Sequence, residues 1–357
     1  MSSSKIQNII AVGSGKGGVG KSTISVNLAI SLQLLGYKVG LLDADIMGPS
    51  VPSMLGINIE RLDDIPEALT LAEKHGIKVM SMGMLTNQDQ PVVLRGAMVT
   101  KYLKSFISDI AWGELDYLII DLPPGTGDIQ ISLCQAIPLT GAVIVTTPQD
   151  VSFKIALKGL KMFDLVHVPI LGIVENMSMF SCSNCGHETH LFGSGGGLAL
   201  SEKTGAEFLG QVPVDSEIVA SGDSGLPIAI SNPSSAAAKS YLEIAKKITN
   251  YTSQKTITIK SMGQVDENTL SILWSDDRID AFDTTKLRLA CTCAKCTGIK
   301  EESLASNITI ISINQVGNYA IRITWSDGHN TGIYSFKHLR EMGEIEELGD
   351  SNASMMP

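Results

Sequence analysis

A glycine-rich run near the start of the chain, Gly15-Lys16-Gly17-Gly18-Val19-Gly20-Lys21-Ser22-Thr23, is entered from the apolar stretch Ile9-Ile10-Ala11-Val12 and has the spacing of a phosphate-binding loop. Glycines so placed let successive backbone N–H groups turn onto phosphate oxygens, Lys21 reaches the β and γ phosphates of a nucleotide, and the Ser22 hydroxyl is placed to ligate Mg²⁺. Two acidic signals complete such a site. Leu41-Leu42-Asp43-Ala44-Asp45 puts Asp43 at a strand end, to hold a Mg²⁺-bound water, and Asp45 one step into the next loop, to orient an attacking water. Taken alone, Asp43 has a competing reading as a helix-cap or strand-end residue, which the loop and Asp121 weaken. Tyr117-Leu118-Ile119-Ile120-Asp121 has the form of a Walker B strand, whose aspartate secures Mg²⁺. Its continuation, Leu122-Pro123-Pro124-Gly125-Thr126-Gly127-Asp128, is a stiff loop with glycine hinges, suited to sensing a γ-phosphate. The chemistry expected is ATP binding and hydrolysis.

The second chemistry is that of sulfur. Of six cysteines, five fall in two tight groups, a pattern that suits metal ligation better than disulfides in a reducing compartment. Cys182 and Cys185, in Phe180-Ser181-Cys182-Ser183-Asn184-Cys185-Gly186-His187, are spaced so that both sulfurs reach one metal. Two thiolates complete neither a zinc site nor a [4Fe–4S] cluster. The pair must recruit His187 and His190, or its copy from a second subunit, or else act as a redox dithiol. Cys291-Thr292-Cys293-Ala294-Lys295-Cys296 offers three thiolates, and His329 in Trp325-Ser326-Asp327-Gly328-His329 would complete a Cys₃His zinc set. His338 competes for that place, and a second iron–sulfur site is the alternative to zinc. Cys134, in the apolar helical stretch 129–137, reads as an inert core residue.

These residues need a scaffold, and the chain's patterning supplies one. From Ile6 to about Tyr251, short β-branched runs alternate with helical segments, which predicts a mostly parallel sheet wrapped by helices, an α/β fold. Strands are expected at Asn8 to Val12, Lys38 to Leu42, Lys78 to Met82, Tyr117 to Asp121, Ala142 to Thr146 and Ile170 to Glu175, with helices at Ser22 to Leu35, Met98 to Ile110, Ser152 to Leu165 and Pro233 to Asn250. A boundary is read at the polar stretch Tyr251 to Lys255, giving an ATPase and iron–sulfur domain over 1–250 and a small β-rich, metal-binding domain over 256–343. The latter holds a weak internal repeat, Leu273-Trp274-Ser275-Asp276-Asp277 to Leu287-Arg288 against Thr324-Trp325-Ser326-Asp327-Gly328 to Leu339-Arg340, read as two hairpins each followed by a short helix. The acidic end, Glu344 to Pro357, reads as a disordered tail.

Composition narrows the function. At 357 residues, two domains are the natural expectation, and 44% apolar residues support packed cores. The formal net charge of −10, with acidic residues outnumbering basic ones on both sides of residue 250, opposes a sequence-independent hold on DNA or on anionic lipid. Nothing approaches the roughly 20 apolar residues of a membrane span, and the polar start Met1-Ser2-Ser3-Ser4 is unlike a signal peptide. A cytoplasmic protein with neither nucleic acid nor membrane as partner is expected.

The first 250 residues resemble the Mrp/ApbC family of iron–sulfur cluster carrier ATPases. Lys16, directly after the first glycine, is similar to the deviant loop of the dimeric MinD, ParA and nitrogenase iron-protein group. The resemblance rests further on Asp43-Ala44-Asp45-Ile46-Met47-Gly48-Pro49-Ser50, Leu94-Arg95-Gly96-Ala97-Met98, Asp121 to Asp128, Thr147-Pro148-Gln149-Asp150-Val151 and Val174-Glu175-Asn176-Met177-Ser178. It departs in one respect, since many relatives carry a small acidic domain ahead of the loop. The resemblance implies a homodimer in which Lys16 of one subunit contacts phosphate bound by the other, with Asp45 in switch I, Asp121 in switch II and Asn176 on the adenine edge. It also implies that Cys182 and Cys185 bridge a labile [4Fe–4S] cluster across the dimer, received from assembly scaffolds and passed to apo iron–sulfur proteins. The C-terminal module resembles the zinc-binding N-terminal domain of γ-butyrobetaine hydroxylases, which matches Cys291, Cys293, Cys296 and His329 as ligands. The rival reading is a MinD- or ParA-like positioning ATPase with structural zinc, which lacks here the basic face or amphipathic C-terminal helix it needs. A nitrogenase-like reductase fits least, since that type draws its cluster ligands from separated cysteines.

Overall fold

The computed structural model describes residues 5–45, 48–58, 71–85, 96–166, 168–181, 185, 187–255, 258–291, 293, 296, 308–316 and 320–343. The chain divides into two compact units, Met1–Tyr251 and Thr252–Pro357.

In the first unit the strands are β1 (Lys5–Ser14), β2 (Val39–Asp43), β3 (Ala72–Lys74), β4 (Ile77–Ser81), β5 (Glu114–Asp121), β6 (Gly141–Thr146), β7 (Ile170–Ser181), β8 (Glu188–Thr189) and β9 (Phe208–Val214). The helices are α1 (Lys21–Leu34), α2 (Val51–Met54), α3 (Gly96–Ser108), α4 (Asp128–Ala136), α5 (Asp150–Leu165), α6 (Gly196–Thr204), α7 (Ser216–Asp223), α8 (Ile228–Ser231) and α9 (Ala236–Lys255). The sheet runs β3-β4-β2-β5-β1-β6-β7-β8, with β9 also on β7, and its central pairs are parallel.

The central strands read as unbroken apolar runs because both faces are covered. Side chains alternate between those faces. Ile10, Val12, Tyr117 and Ile119 pack into a core with α1, α8 and α9, while Ile9, Ala11, Leu118 and Ile120 pack into a second with α3, α4 and α5. Parallel pairing sets Asp43 opposite Asp121 and Val12 opposite Asp121. Both acids and the start of the glycine loop thus emerge at one edge, the carboxyl ends of the strands, where ligands of open α/β sheets bind.

The strand β9 escapes sequence reading because Gly210 and Pro213 interrupt its pattern; pairing with β7 alone, it sits at an edge that tolerates a missing N–H. Residues Ile46, Met47, Leu94, Arg95 and Cys182 lie outside the described residues, as does the acidic end from Glu344.

The second unit corrects the two-hairpin reading. It holds two three-stranded antiparallel sheets: β10 (Ile259–Asp266), β11 (Thr269–Trp274) and β12 (Ile279–Asp283), then β13 (Ile310–Val316), β14 (Ala320–Trp325) and β15 (Ile333–Ser335), followed by α10 (Thr284–Leu289) and α11 (Phe336–Met342) respectively. The first strand of each set is mostly exposed, so it lacks a clean alternation to announce it. Trp274, Trp325, Leu287 and Leu339 share one core.

In the first unit, Trp112 is fully buried and its indole N–H donates to Phe106 O at 2.7 Å. Trp112→Ala is expected to destabilise that unit by about 3–5 kcal/mol, read as an earlier urea midpoint by circular dichroism.

Candidate functional site

The glycine loop is held by packing on one side and left open on the other. Val19 is buried in the core, and Gly18 and Gly20 adopt φ of 78° and 79°, which an L side chain resists. Gly20 caps α1 in left-handed geometry, and the first turn of that helix carries no acidic residue, so its N–H groups and dipole are available to an anion. A side chain at Gly15 would place its Cβ 2.6 Å from Ile155 O on α5, whereas one at Gly17 would meet only Pro124 at 3.9 Å. Above the loop lies a cleft of about 210 Å³ lined by Lys16, Lys21, Ser22, Thr23, Asp45 and Pro124 among others.

Asp121 is the focus of the site. Fully buried, it takes an ion pair from Lys21 at 2.7 Å and hydrogen bonds from the Ser22 and Ser25 hydroxyls, each at 2.6 Å. Ser25 was not singled out by motif; lying four residues after Lys21, it shares that helix face and was legible from helical spacing. Asp43 accepts from Asp45 N at 3.1 Å, from Val51 N at 3.3 Å and from the Ser81 hydroxyl at 3.1 Å. It thereby holds both ends of the loop 45–51. Burial first, and the neighbouring Asp121 second, push its carboxyl up to about 7. Two buried carboxylates side by side at the ends of adjacent strands are a donor set that suits a divalent cation.

Lys16 is half-buried and its ammonium lies 3.4 Å from Gln149 Oε1. Asn176 donates from its amide to Val19 O at 2.8 Å, which fastens β7 to the glycine loop. The next residue, Met177, has φ 59°, and the register of β7 against β9 shifts between Asn176 and Phe180. Beyond that break β7 pairs with β8, Ser181 opposite Glu188. Cys185 is exposed in the turn between them. His187 and His190 are exposed too, and His190 Nδ1 lies 3.0 Å from Ser178 O.

The second cysteine group closes on itself in the other unit. The ligand atoms of Cys291, Cys293, Cys296 and His329 all lie within 4.8 Å of one another. His329 presents Nε2, at 3.3 Å from Cys291 Sγ and 3.6 Å from the sulfurs of Cys293 and Cys296. His338 is elsewhere, its Nε2 3.3 Å from Ala290 O. A Cβ at Gly332 would sit 2.6 Å from Cys291 Sγ, so only glycine leaves this cradle its shape. Three sulfurs converging on one imidazole nitrogen are the donor chemistry of a closed tetrahedral zinc site, and these residues fit it.

Sheet order, loop and acids define a P-loop NTPase of the MinD-like fold. The profile of the NUBPL iron-transfer P-loop NTPases, a ParA-type family, matches residues 5–249. The chain belongs to that family. The γ-butyrobetaine hydroxylase-like N-terminal profile matches residues 247–340. The iron–sulfur cluster carrier protein of Aquifex aeolicus is 48% identical over 252 residues, 70% of this chain and 69% of that one. The iron–sulfur cluster transfer protein NUBPL of Dictyostelium discoideum is 49% identical over 246 residues, 68% of this chain and 76% of its own. The carrier protein of Escherichia coli is 49% identical over 68% of this chain and 66% of its own length. Among solved structures, a nucleotide-binding protein of Archaeoglobus fulgidus in complex with ADP aligns with a TM-score of 0.54 at 42% identity, over 62% of this chain and 87% of that one. The septum site-determining protein MinD of Pyrococcus horikoshii aligns at 0.54 with 20% identity, over 69% and 97%, a likeness of fold alone.

The packing of the loop sets two glycines apart. Gly15→Ala is expected to lose about 1–3 kcal/mol by overpacking against α5, while Gly17→Ala keeps its stability, compared by thermal unfolding without nucleotide.

Proposed function

We propose that this protein is an ATP-dependent iron–sulfur cluster carrier, acting as a homodimer that holds a [4Fe–4S] cluster as cargo on Cys182 and Cys185 of both subunits and passes it to apo-proteins. The observation that carries the reading is the course of β7. One strand is fastened to the nucleotide loop by Asn176 and runs out to the turn that bears Cys185, so a change at the loop has a direct route to the cargo. The names of the relatives, carriers and transfer proteins for iron–sulfur clusters, support the same reading.

In this reading the loop Gly15 to Thr23 cradles the phosphates of ATP, and Ser22, Asp45 and Asp121 hold Mg²⁺, with Asp43 supporting them from the next strand. When bound, Mg²⁺ neutralises charge on the β and γ phosphates. Lys21 moves its ammonium from Asp121 toward phosphate oxygens, and Asp45, lining the cleft, orients the attacking water. Lys16 reaches phosphate held by the partner subunit, and Asn176 turns from Val19 O toward the adenine edge. Nucleotide then shifts the dimer between two arrangements, altering the hold on the cargo by no more than its differential affinity for them. The second unit carries structural zinc on Cys291, Cys293, Cys296 and His329. With a net charge of −10 and no described helix long and apolar enough to cross a membrane, we place the protein in the cytoplasm, with assembly scaffolds and apo iron–sulfur proteins as partners rather than nucleic acid or lipid.

The test is metal content after anaerobic reconstitution. The parent protein is expected to hold about four iron and four sulfide per dimer, lost in Cys182→Ser and Cys185→Ser; Cys291→Ser and His329→Ala lose zinc instead, and His338→Ala loses neither. Iron absent throughout, with zinc following Cys182, would return the protein to the positioning ATPases. Lys21→Ala is expected to abolish ATP binding and cluster transfer while still acquiring a cluster; undiminished transfer to an apo-ferredoxin would sink the coupling.

A further inference from the structure

The repeat in the second unit places two equivalent tight turns against two equivalent helices. Trp274 N donates to Arg278 O and Trp325 N to His329 O, each at 2.9 Å, so Arg278 and His329 occupy the same position of their turns. Asp277 and Gly328 carry the matching positive φ of 67° and 83°. Each turn reaches the helix of the other half. The guanidinium of Arg278 donates to Arg340 O and Gly343 O at the carboxyl end of α11, while His329 reaches the cysteines that follow α10. The helices answer in kind: Arg340 grips Asp276 with two hydrogen bonds of 2.9 and 2.7 Å, and Arg288 grips Asp327 through Nε at 2.9 Å.

The two halves differ at the second arm of the helix arginine. Arg340 lies over the Trp274 ring, 5.3 Å from its centroid. Arg288, only 4% exposed, instead aims Nη1 at Cys296 Sγ from 3.2 Å. Asp327 does double service, since its Oδ1 accepts from His329 N at 2.9 Å while Oδ2 holds Arg288. One carboxylate therefore ties the histidine turn to the cation beside the cysteines.

We propose that Arg288, held by Asp327, is the positioning residue of the Cys291, Cys293, Cys296 and His329 metal site, neutralising the charge that three thiolates place there and orienting Cys296. Three thiolates, a neutral imidazole and a divalent zinc sum to one negative charge, which in a half-buried pocket calls for a cation. A guanidinium N–H directed at a ligating sulfur supplies that charge and stabilises the thiolate as a hydrogen-bond acceptor. The proposal rests on the zinc reading above. It goes beyond that reading in assigning a residue outside the ligand set to the metal's affinity and electronic character. The opposite half supplies the internal control, because Arg340 makes the same kind of helix-to-turn ion pair, with Asp276, while its second contact is the Trp274 ring rather than a cysteine.

The test uses the full chain, titrated with zinc against a chromophoric chelator and, separately, loaded with cobalt(II) for absorption spectroscopy. Arg288→Met is expected to weaken zinc binding about 10- to 100-fold and to move the thiolate-to-cobalt charge-transfer band to lower energy. Arg340→Met is expected to lower the thermal midpoint while leaving zinc affinity and the band where they are in the parent. Should Arg288→Met not fold, Asp327→Asn takes its place and must show the same direction of change in affinity, with Arg288→Lys recovering part of it. Zinc affinity and band unchanged in Arg288→Met or Asp327→Asn, or moved equally by Arg340→Met, overturn the proposal while leaving the zinc site standing. A parent protein that binds no zinc at all overturns both.

Discussion

A buried charge in an apolar sheet is the constraint on which the nucleotide site turns. Asp121 has no exposure, and the strand that leads to it is apolar on both faces. Such a carboxylate is tolerated only because Lys21 stands 2.7 Å away and the hydroxyls of Ser22 and Ser25 occupy its oxygens. These three donors come from the first turns of α1, so the helix must begin where it does, and the glycine loop must make its turn in the six residues left to it between β1 and α1. The same arrangement explains how a nucleotide could be felt. In the proposed carrier polyphosphate and Asp121 compete for the one ammonium of Lys21, and its removal from the acid alters the balance of the nest that includes Asp43 on the adjacent strand.

Asp43 shows how the field at this edge reaches into the fold. Its carboxyl, pushed up to about 7 by burial and by Asp121, is also the acceptor for Asp45 N, Val51 N and the Ser81 hydroxyl. Anything that changes its charge changes the hold on the loop that carries Asp45. A second path leaves the site through β7, where the positive φ of Met177 and a register shift after Asn176 separate a sheet-bound stretch from the ribbon with β8. In the proposed carrier these two paths are the physical means of coupling, each a discrete contact that exists in one arrangement and is broken in the other.

The smaller unit solves a different problem. Its sheets are three strands each and share one core, the sort of size at which a metal or a network of ion pairs is commonly needed beside hydrophobic burial. The turn position that is Arg278 in one half and His329 in the other makes the equivalence concrete. A guanidinium on helix carbonyls and the cluster of His329 with Cys291, Cys293 and Cys296 perform the same joining of turn to helix. The cation–π contact and paired hydrogen bonds of Arg340 tie α11 to the turn from Trp274 to Arg278, which carries neither cysteine nor histidine.

Much of this was legible in the residues alone, and the reason is that local order carried it. The glycine loop, Asp43 and Asp121 are specified by short-range spacing at strand ends, and the parallel α/β fold by apolar runs alternating with helices, so both could be read without a partner segment in view. The close spacing of Cys291, Cys293 and Cys296 was legible for the same reason. What the sequence left open was decided by contacts between distant segments. His329 rather than His338 joins the cysteines because equivalent turns cross to each other's helices. Ser81 reaches Asp43 because β4 and β2 pair in parallel, and β9 forms because β7 offers it an edge that tolerates proline. The outer strands β10 and β13 likewise take their place from pairing rather than from a pattern of their own. Spacing along the chain determines which groups can act together within a turn or strand; register and packing determine which distant group completes them, since only the folded sheet brings those atoms within bonding distance.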